Sequence, residues 1–154
     1  MANIFNSDFQ DFLQALNEFH VEYILVGGYS VILHGYSRTT GDMDIWVKKS
    51  KENYSKIGLA FSRFGMPMFD MTEENFLNNP AFDVFTYGRA PVSIDIITKL
   101  KGLEFENAFD NASDHIVDDL TIRLINYRDL ITAKKAAGRP RDINDIENLE
   151  NSSD

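Results

Sequence analysis

The feature that most limits what this chain can fold into is an apolar run, Tyr23-Ile24-Leu25-Val26, that stops at Gly27-Gly28 and is followed thirteen residues later by Asp42-Met43-Asp44-Ile45. The first run reads as a buried strand. Two glycines after it let the backbone turn sharply and approach a ligand closely. Residues 30–34 read as a short helix stopped by Gly35, so its free N–H groups and dipole point at whatever lies above the glycines. The chain returns through Arg38-Thr39-Thr40-Gly41 to a second strand over 45–47. Asp42 and Asp44, two apart, project to one face of it. Two carboxylates side by side repel unless a cation lies between them, and all-oxygen ligation of that kind suits Mg²⁺ or Mn²⁺.

A third carboxylate stands at Asp95, within Ser93-Ile94-Asp95-Ile96-Ile97. A charge centred in so apolar a strand is costly unless it is paired or binds a metal. Simple pairing with a backbone N–H or a basic neighbour would satisfy it equally well, and Asp83 competes for the same role. Taken singly, a two-glycine turn is an ordinary tight turn and Asp-x-Asp an ordinary solvated strand start. Their conjunction with a later strand acid is much rarer.

The rest of the chain supplies helices and strands around this core. Phe9, Phe12, Leu13, Leu16 and Phe19 have helical spacing over 7–19, with Ser7 and Gln10 as a capping box. A second helix fits 51–64, and 65–80 reads as loop with one helical turn after Thr72. Strands at 82–87 and 92–97 form a hairpin across Gly88-Arg89-Ala90-Pro91. Another strand fits 120–125, preceded by a short one at 115–118. Helices at 127–137 and 141–149 close the chain, separated by Gly138 as a helix stop and Pro140 in a first turn. The expected fold is an α/β (α+β) single domain over 1–154, a small mixed sheet with helices packed on it and helices at the C-terminus. Most of the twelve Phe and six Tyr are expected in its core, with monomer and homodimer both open.

Composition removes several classes of function. The chain has no Cys, which excludes disulfides, thiol catalysis and Cys-bound metals. Its three His are scattered without an HExxH pattern, so a zinc hydrolase is not expected. No signal peptide and no apolar run near ~20 residues is visible, so a cytoplasmic protein without membrane association is expected. A formal charge of −9 argues against bulk nucleic-acid binding, which depends on neutralising phosphates. Charge is nevertheless uneven. Residues 104–119 hold six acids and no Lys or Arg, whereas Arg128, Lys134, Lys135, Arg139 and Arg141 gather a third of the basic residues into fourteen positions. Alone, such a cluster is a solvated helix face; it matters if it faces an anion.

Val26-Gly27-Gly28, Asp42-Met43-Asp44-Ile45 and Ile94-Asp95-Ile96 together resemble the signature of the nucleotidyltransferase superfamily related to DNA polymerase β. The stretch 130–142, Leu-Ile-Thr-Ala-Lys-Lys-Ala-Ala-Gly-Arg-Pro-Arg-Asp, is similar to the ending of small bacterial members of the abortive-infection and minimal types. The resemblance spans roughly 20–149. It implies transfer of a nucleoside monophosphate from a nucleoside triphosphate to a hydroxyl, releasing pyrophosphate. Asp42, Asp44 and Asp95 would be the catalytic metal ligands, with Asp95 also available to take the acceptor proton. Gly27, Gly28 and Arg38 would meet the phosphates, and Lys134 and Arg139 would neutralise charge there, with Asp142 holding one of these cations. Many members have Ser where Gly28 stands; Ser30 or backbone N–H groups would have to substitute. The acceptor is open among a protein, a tRNA end and a small molecule, as is the base. The rival reading is a non-catalytic nucleotide binder or toxin–antitoxin partner with the same fold.

Overall fold

The structure, a computed structural model, describes residues 4–89 and 92–152. Its elements run in the order α1 (Ser7–Glu18), β1 (Tyr23–Val26), α2 (Gly27–Leu33), β2 (Met43–Val47), α3 (Lys51–Phe64), α4 (Glu73–Leu77), β3 (Val84–Arg89), β4 (Val92–Ile97), α5 (Phe105–Asn111), β5 (Ser113–Val117), β6 (Leu120–Leu124), α6 (Tyr127–Ala137) and α7 (Pro140–Ser152). Six strands form one sheet in the order β3-β4-β2-β1-β6-β5. Pairing is antiparallel for β1–β2, β3–β4 and β5–β6, and parallel for β2–β4 and β1–β6. This is the mixed sheet with C-terminal helices expected from the motifs. Among the described residues no helix is long and apolar enough to cross a membrane.

Alternation along the strands divides the two faces. Met43, Ile94 and Tyr87 are register partners, and the Tyr87 ring meets Phe61 of α3 edge-on at 5.0 Å. Phe12 of α1 packs on Phe61 at 5.6 Å, so α1 and α3 cover that face together. Asp44, Trp46 and their partners point the other way, where Phe105 of α5 meets the Trp46 ring at 5.3 Å. Asn53, 1% exposed, ties α3 to the sheet by accepting from the Glu22 N–H and donating to the Glu22 and Lys48 carbonyls.

Local chemistry moves several boundaries from their expected places. Asn6, not Ser7, caps α1, its side chain accepting from the Phe9 N–H at 2.8 Å while Gln10 donates back to the Phe5 carbonyl. Thr72 and Asn126 cap α4 and α6 in the same way. The β3–β4 hairpin is tighter than expected: Gly88 and Arg89 are paired strand residues, facing Ser93 and Val92. Of the expected four-residue loop, Ala90 and Pro91 lie outside the described residues. Helix α5 was not foreseen. Phe105, Ala108 and Phe109 stand at helical spacing, but six acids around them read as a solvated segment.

Candidate active site

The site forms where β1 ends and α2 begins. Helix α2 starts at Gly27 itself rather than at residue 30, because Gly27 adopts φ +71° and turns the chain straight from strand into helix. That conformation is disfavoured for any residue with a Cβ. A Cβ at Gly27 would also run into the Asp44 carboxylate, and one at Gly28 into the Thr40 hydroxyl and side chain. A serine at position 28 therefore has no room while Thr40 stands where it does. Gly27→Ala is expected to destabilise the fold by about 1–2 kcal/mol from backbone strain alone, and to lower nucleotide transfer further by displacing Asp44. Thermal melts and activity of the same preparation check both.

Sheet register aligns the acids. Val26 faces Asp44 across β1–β2, and Asp44 faces Asp95 across the parallel β2–β4 pair. Asp42 precedes β2 and accepts a hydrogen bond from the Ser93 hydroxyl at 2.8 Å. Burial, the Asp95 charge, a hydrogen bond with Asp95 and the Asp42 charge push the Asp44 carboxyl up from 3.8 to about 7, against the pull of Lys134. Without a cation the pair favours holding a proton. Asp95 Oδ1 is buried and has no hydrogen-bond partner. Among the described residues no group of three or more His, Asp or Glu is placed to hold a metal ion as it stands. The donor set nonetheless fits a hard divalent cation: two adjacent carboxylates, a third on the same edge, and one buried oxygen without a partner. Asp83 stands apart, exposed just before β3, with its backbone carbonyl accepting from the Thr98 N–H.

Above the acids lies a cleft of about 250 Å³. Asp42, Asp44, Asp95 and Gly27 form one side; Lys134, Arg139, Arg141 and Asp142 bring charge from α6 and α7; Val84, Ile97 and Leu100 form an aliphatic wall. Lys134 is nearly buried and sits between Asp142, at 3.1 Å, and Asp145, at 2.9 Å. Arg139 stays on the rim and reaches Asp142 with Nε at 2.7 Å. Burial resists ionisation of Asp142, but hydrogen bonds from Arg139 and Lys134 outweigh it and hold the carboxyl below its usual range.

Two residues expected at the phosphates already have partners within the chain. Ser30 is fully buried, and its hydroxyl donates to the Gly27 carbonyl at 2.6 Å, so it does not replace a serine at position 28. The reason is the early start of α2, which puts Ser30 one turn inside the helix. Arg38 forks onto Asp145 at 2.9 and 3.0 Å and remains partly exposed beside Gly28 rather than lining the cleft. Asp145 was missed by the sequence reading, although Asp142-x-x-Asp145 puts two carboxylates on one helix face. Ser93 and the aliphatic wall were missed as well, since no local pattern marks them.

A family profile for a nucleotidyltransferase of unknown function (DUF6036) matches residues 7–152. No curated protein sequence matches the chain. Solved structures that share the fold include the following three. The lincomycin-bound lincosamide antibiotic adenylyltransferase LnuA aligns with TM-score 0.58 and 17% identity over 97% of this chain and 98% of its own. The antibiotic-resistance factor ANT(2'')-Ia gives 0.57 and 12% over 96% and 83%. A Thermotoga maritima protein, TM1012, assigned to the nucleotidyltransferases, gives 0.56 and 14% over 93% and 90%.

Proposed function

The chain belongs to this nucleotidyltransferase family, and we propose that it moves a nucleoside monophosphate from a nucleoside triphosphate to a hydroxyl of a small molecule, with Mg²⁺ or Mn²⁺ bound at Asp42, Asp44 and Asp95. The observation that carries this reading is the in-register Asp44–Asp95 pair, with a partnerless buried oxygen, beside the Gly27 turn. Divalent metal bound there would screen the three carboxylates and draw phosphate oxygens to them.

The chain's own groups then have distinct tasks. Backbone N–H groups at Gly27 and Gly28 face the β- and γ-phosphates, where fixed dipoles need no reorganisation. Lys134 and Arg139 offset the charge that builds on the departing pyrophosphate. The acceptor oxygen bonds to the α-phosphorus as the bond to the bridging oxygen breaks and pyrophosphate leaves. Asp95 takes the acceptor proton. A small acceptor suits a cleft of about 250 Å³ with one aliphatic wall, and one structural relative is an antibiotic adenylyltransferase. The net charge of −9 works against a polynucleotide acceptor.

The test is incubation with each α-labelled ribonucleoside triphosphate, Mg²⁺ and a panel of hydroxylated small molecules, aminoglycosides and lincosamides included. Label should move to a small molecule and stop moving when EDTA is added. Label on tRNA or protein alone would overturn the acceptor assignment. No transfer to any acceptor, together with no triphosphate-dependent thermal shift, would overturn the catalytic reading.

A further inference from the structure

Asp145 lies on α7 with its side chain 1% exposed; one oxygen stands 2.9 Å from Arg38 Nε, and the other accepts from Arg38 Nη2 at 3.0 Å and pairs with the Lys134 ammonium at 2.9 Å. These two cations come from distant parts of the chain, the α2–β2 connection and α6. Together with Asp142, Asp145 serves three cations, Arg38, Lys134 and Arg139, two of which also feel the Asp44 carboxylate across the cleft.

Geometry indicates where these cations act. The Arg38 Nη2 lies 3.3 Å from the position a Cβ would take at Gly28, over the first turn of α2. Unheld, Arg38 is a long side chain in a connection without helix or strand, and ordering it on binding would cost affinity. Lys134 lines the cleft beside the three acids and would collapse onto Asp44 or Asp95 without its α7 partners.

We propose that Asp145 is a positioning residue that holds Arg38 and Lys134 ready for the triphosphate, which makes α7 part of the nucleotide site. This rests on the reading of the cleft as a triphosphate site. Asp145 touches neither substrate nor metal; it acts through the two cations. The charged and titratable groups around it are Arg38, Lys134, Asp142 and Arg139.

The experiment measures Kd for Mg²⁺-complexed ATP, GTP, CTP, UTP and inorganic tripolyphosphate, by calorimetry well below the melting temperature. Mn²⁺ affinity is measured alongside. Asp145→Asn should weaken triphosphate and tripolyphosphate at least tenfold and leave Mn²⁺ affinity within twofold. Arg38→Lys keeps the charge but loses the fork at a partly exposed position, and should weaken them three- to tenfold. A purely structural Asp145 would lower the melting temperature and leave these constants alone. Should Asp145→Asn not fold, Arg38→Lys decides, and an unchanged Kd there overturns the proposal. Wild-type protein that binds none of the five probes overturns the functional reading instead.

Discussion

Asp44→Asn is expected to abolish nucleotide transfer while raising the melting temperature of the metal-free protein. Loss of a metal-binding carboxylate removes several kcal/mol of transition-state stabilisation, a fall on the order of 10³-fold in rate. Stability moves the other way because Asp44 is held against its own preference. Burial and the neighbouring Asp95 charge lift its carboxyl from 3.8 to about 7. Between those two values the folded chain keeps a proton that the unfolded chain has released. Stability therefore falls as pH rises through this window, and the cost is complete above about pH 7. Asparagine removes the charge and flattens the slope. Each kcal/mol recovered is worth roughly 2–4 °C at this chain length. Melts in EDTA at several pH values, beside transfer assays, read both effects. A variant that keeps activity, or that melts lower than wild type at pH 8, would sink the assignment of Asp44.

Asp142→Ala should do the reverse and damage the fold. Asp142 is 0% exposed and accepts from Lys134 Nζ, Arg139 Nε and the Arg139 backbone N–H. Removing it strips Lys134 of one of two partners, unties the start of α7 and opens a buried space. Truncating one member of a buried pair typically costs about 3–5 kcal/mol. Asp145 still compensates Lys134, so about 3 kcal/mol is expected here, read by urea unfolding. Because the Asp142 carboxyl is held below its usual range, its contribution is present above the unfolded carboxylate value near 3.8 and is lost as pH falls through the lower folded value. The double variant Lys134→Met, Asp142→Leu should recover most of the stability and none of the activity. If the double variant is no more stable than Asp142→Ala alone, the loss does not come from the unpaired ammonium.

How far the sequence could be read depended on the range of the interaction involved. Helices α3 and α6 follow from side chains within four residues of each other and from neighbours such as Gly138, which takes φ +65° after α6. Strand β1 follows from an unbroken apolar run, and β4 from an apolar run broken only by Ser93 and Asp95. Helix α5 did not, because what stabilises it is a long-range contact, Phe105 against Trp46, inside an acid-rich stretch that suggests solvent. Ser30 misled for a local reason: a helix that begins at Gly27 turns its hydroxyl back onto the Gly27 carbonyl. Between Asp95 and Asp83 the local signal is only a weaker core pattern around Asp83, which ranks it second. Parallel pairing of β4 with β2 puts Asp95 opposite Asp44 and leaves Asp83 outside the strand.

By itself the sequence determined the turn and the charges: two glycines that let the chain turn sharply, two acids on one strand face, a third in an apolar strand, and a basic cluster in an acidic chain. These are consequences of backbone sterics, two-residue alternation and the cost of burying charge, all of which act within a few residues. Only the tertiary structure decided which groups meet. It set Asp44 against Asp95, drew Arg38 and Lys134 onto Asp145, and closed an aliphatic wall over one side of the cleft. Those pairings join residues up to 107 positions apart. Sheet register and helix docking fix such meetings through the packing of the whole chain, which no local pattern encodes.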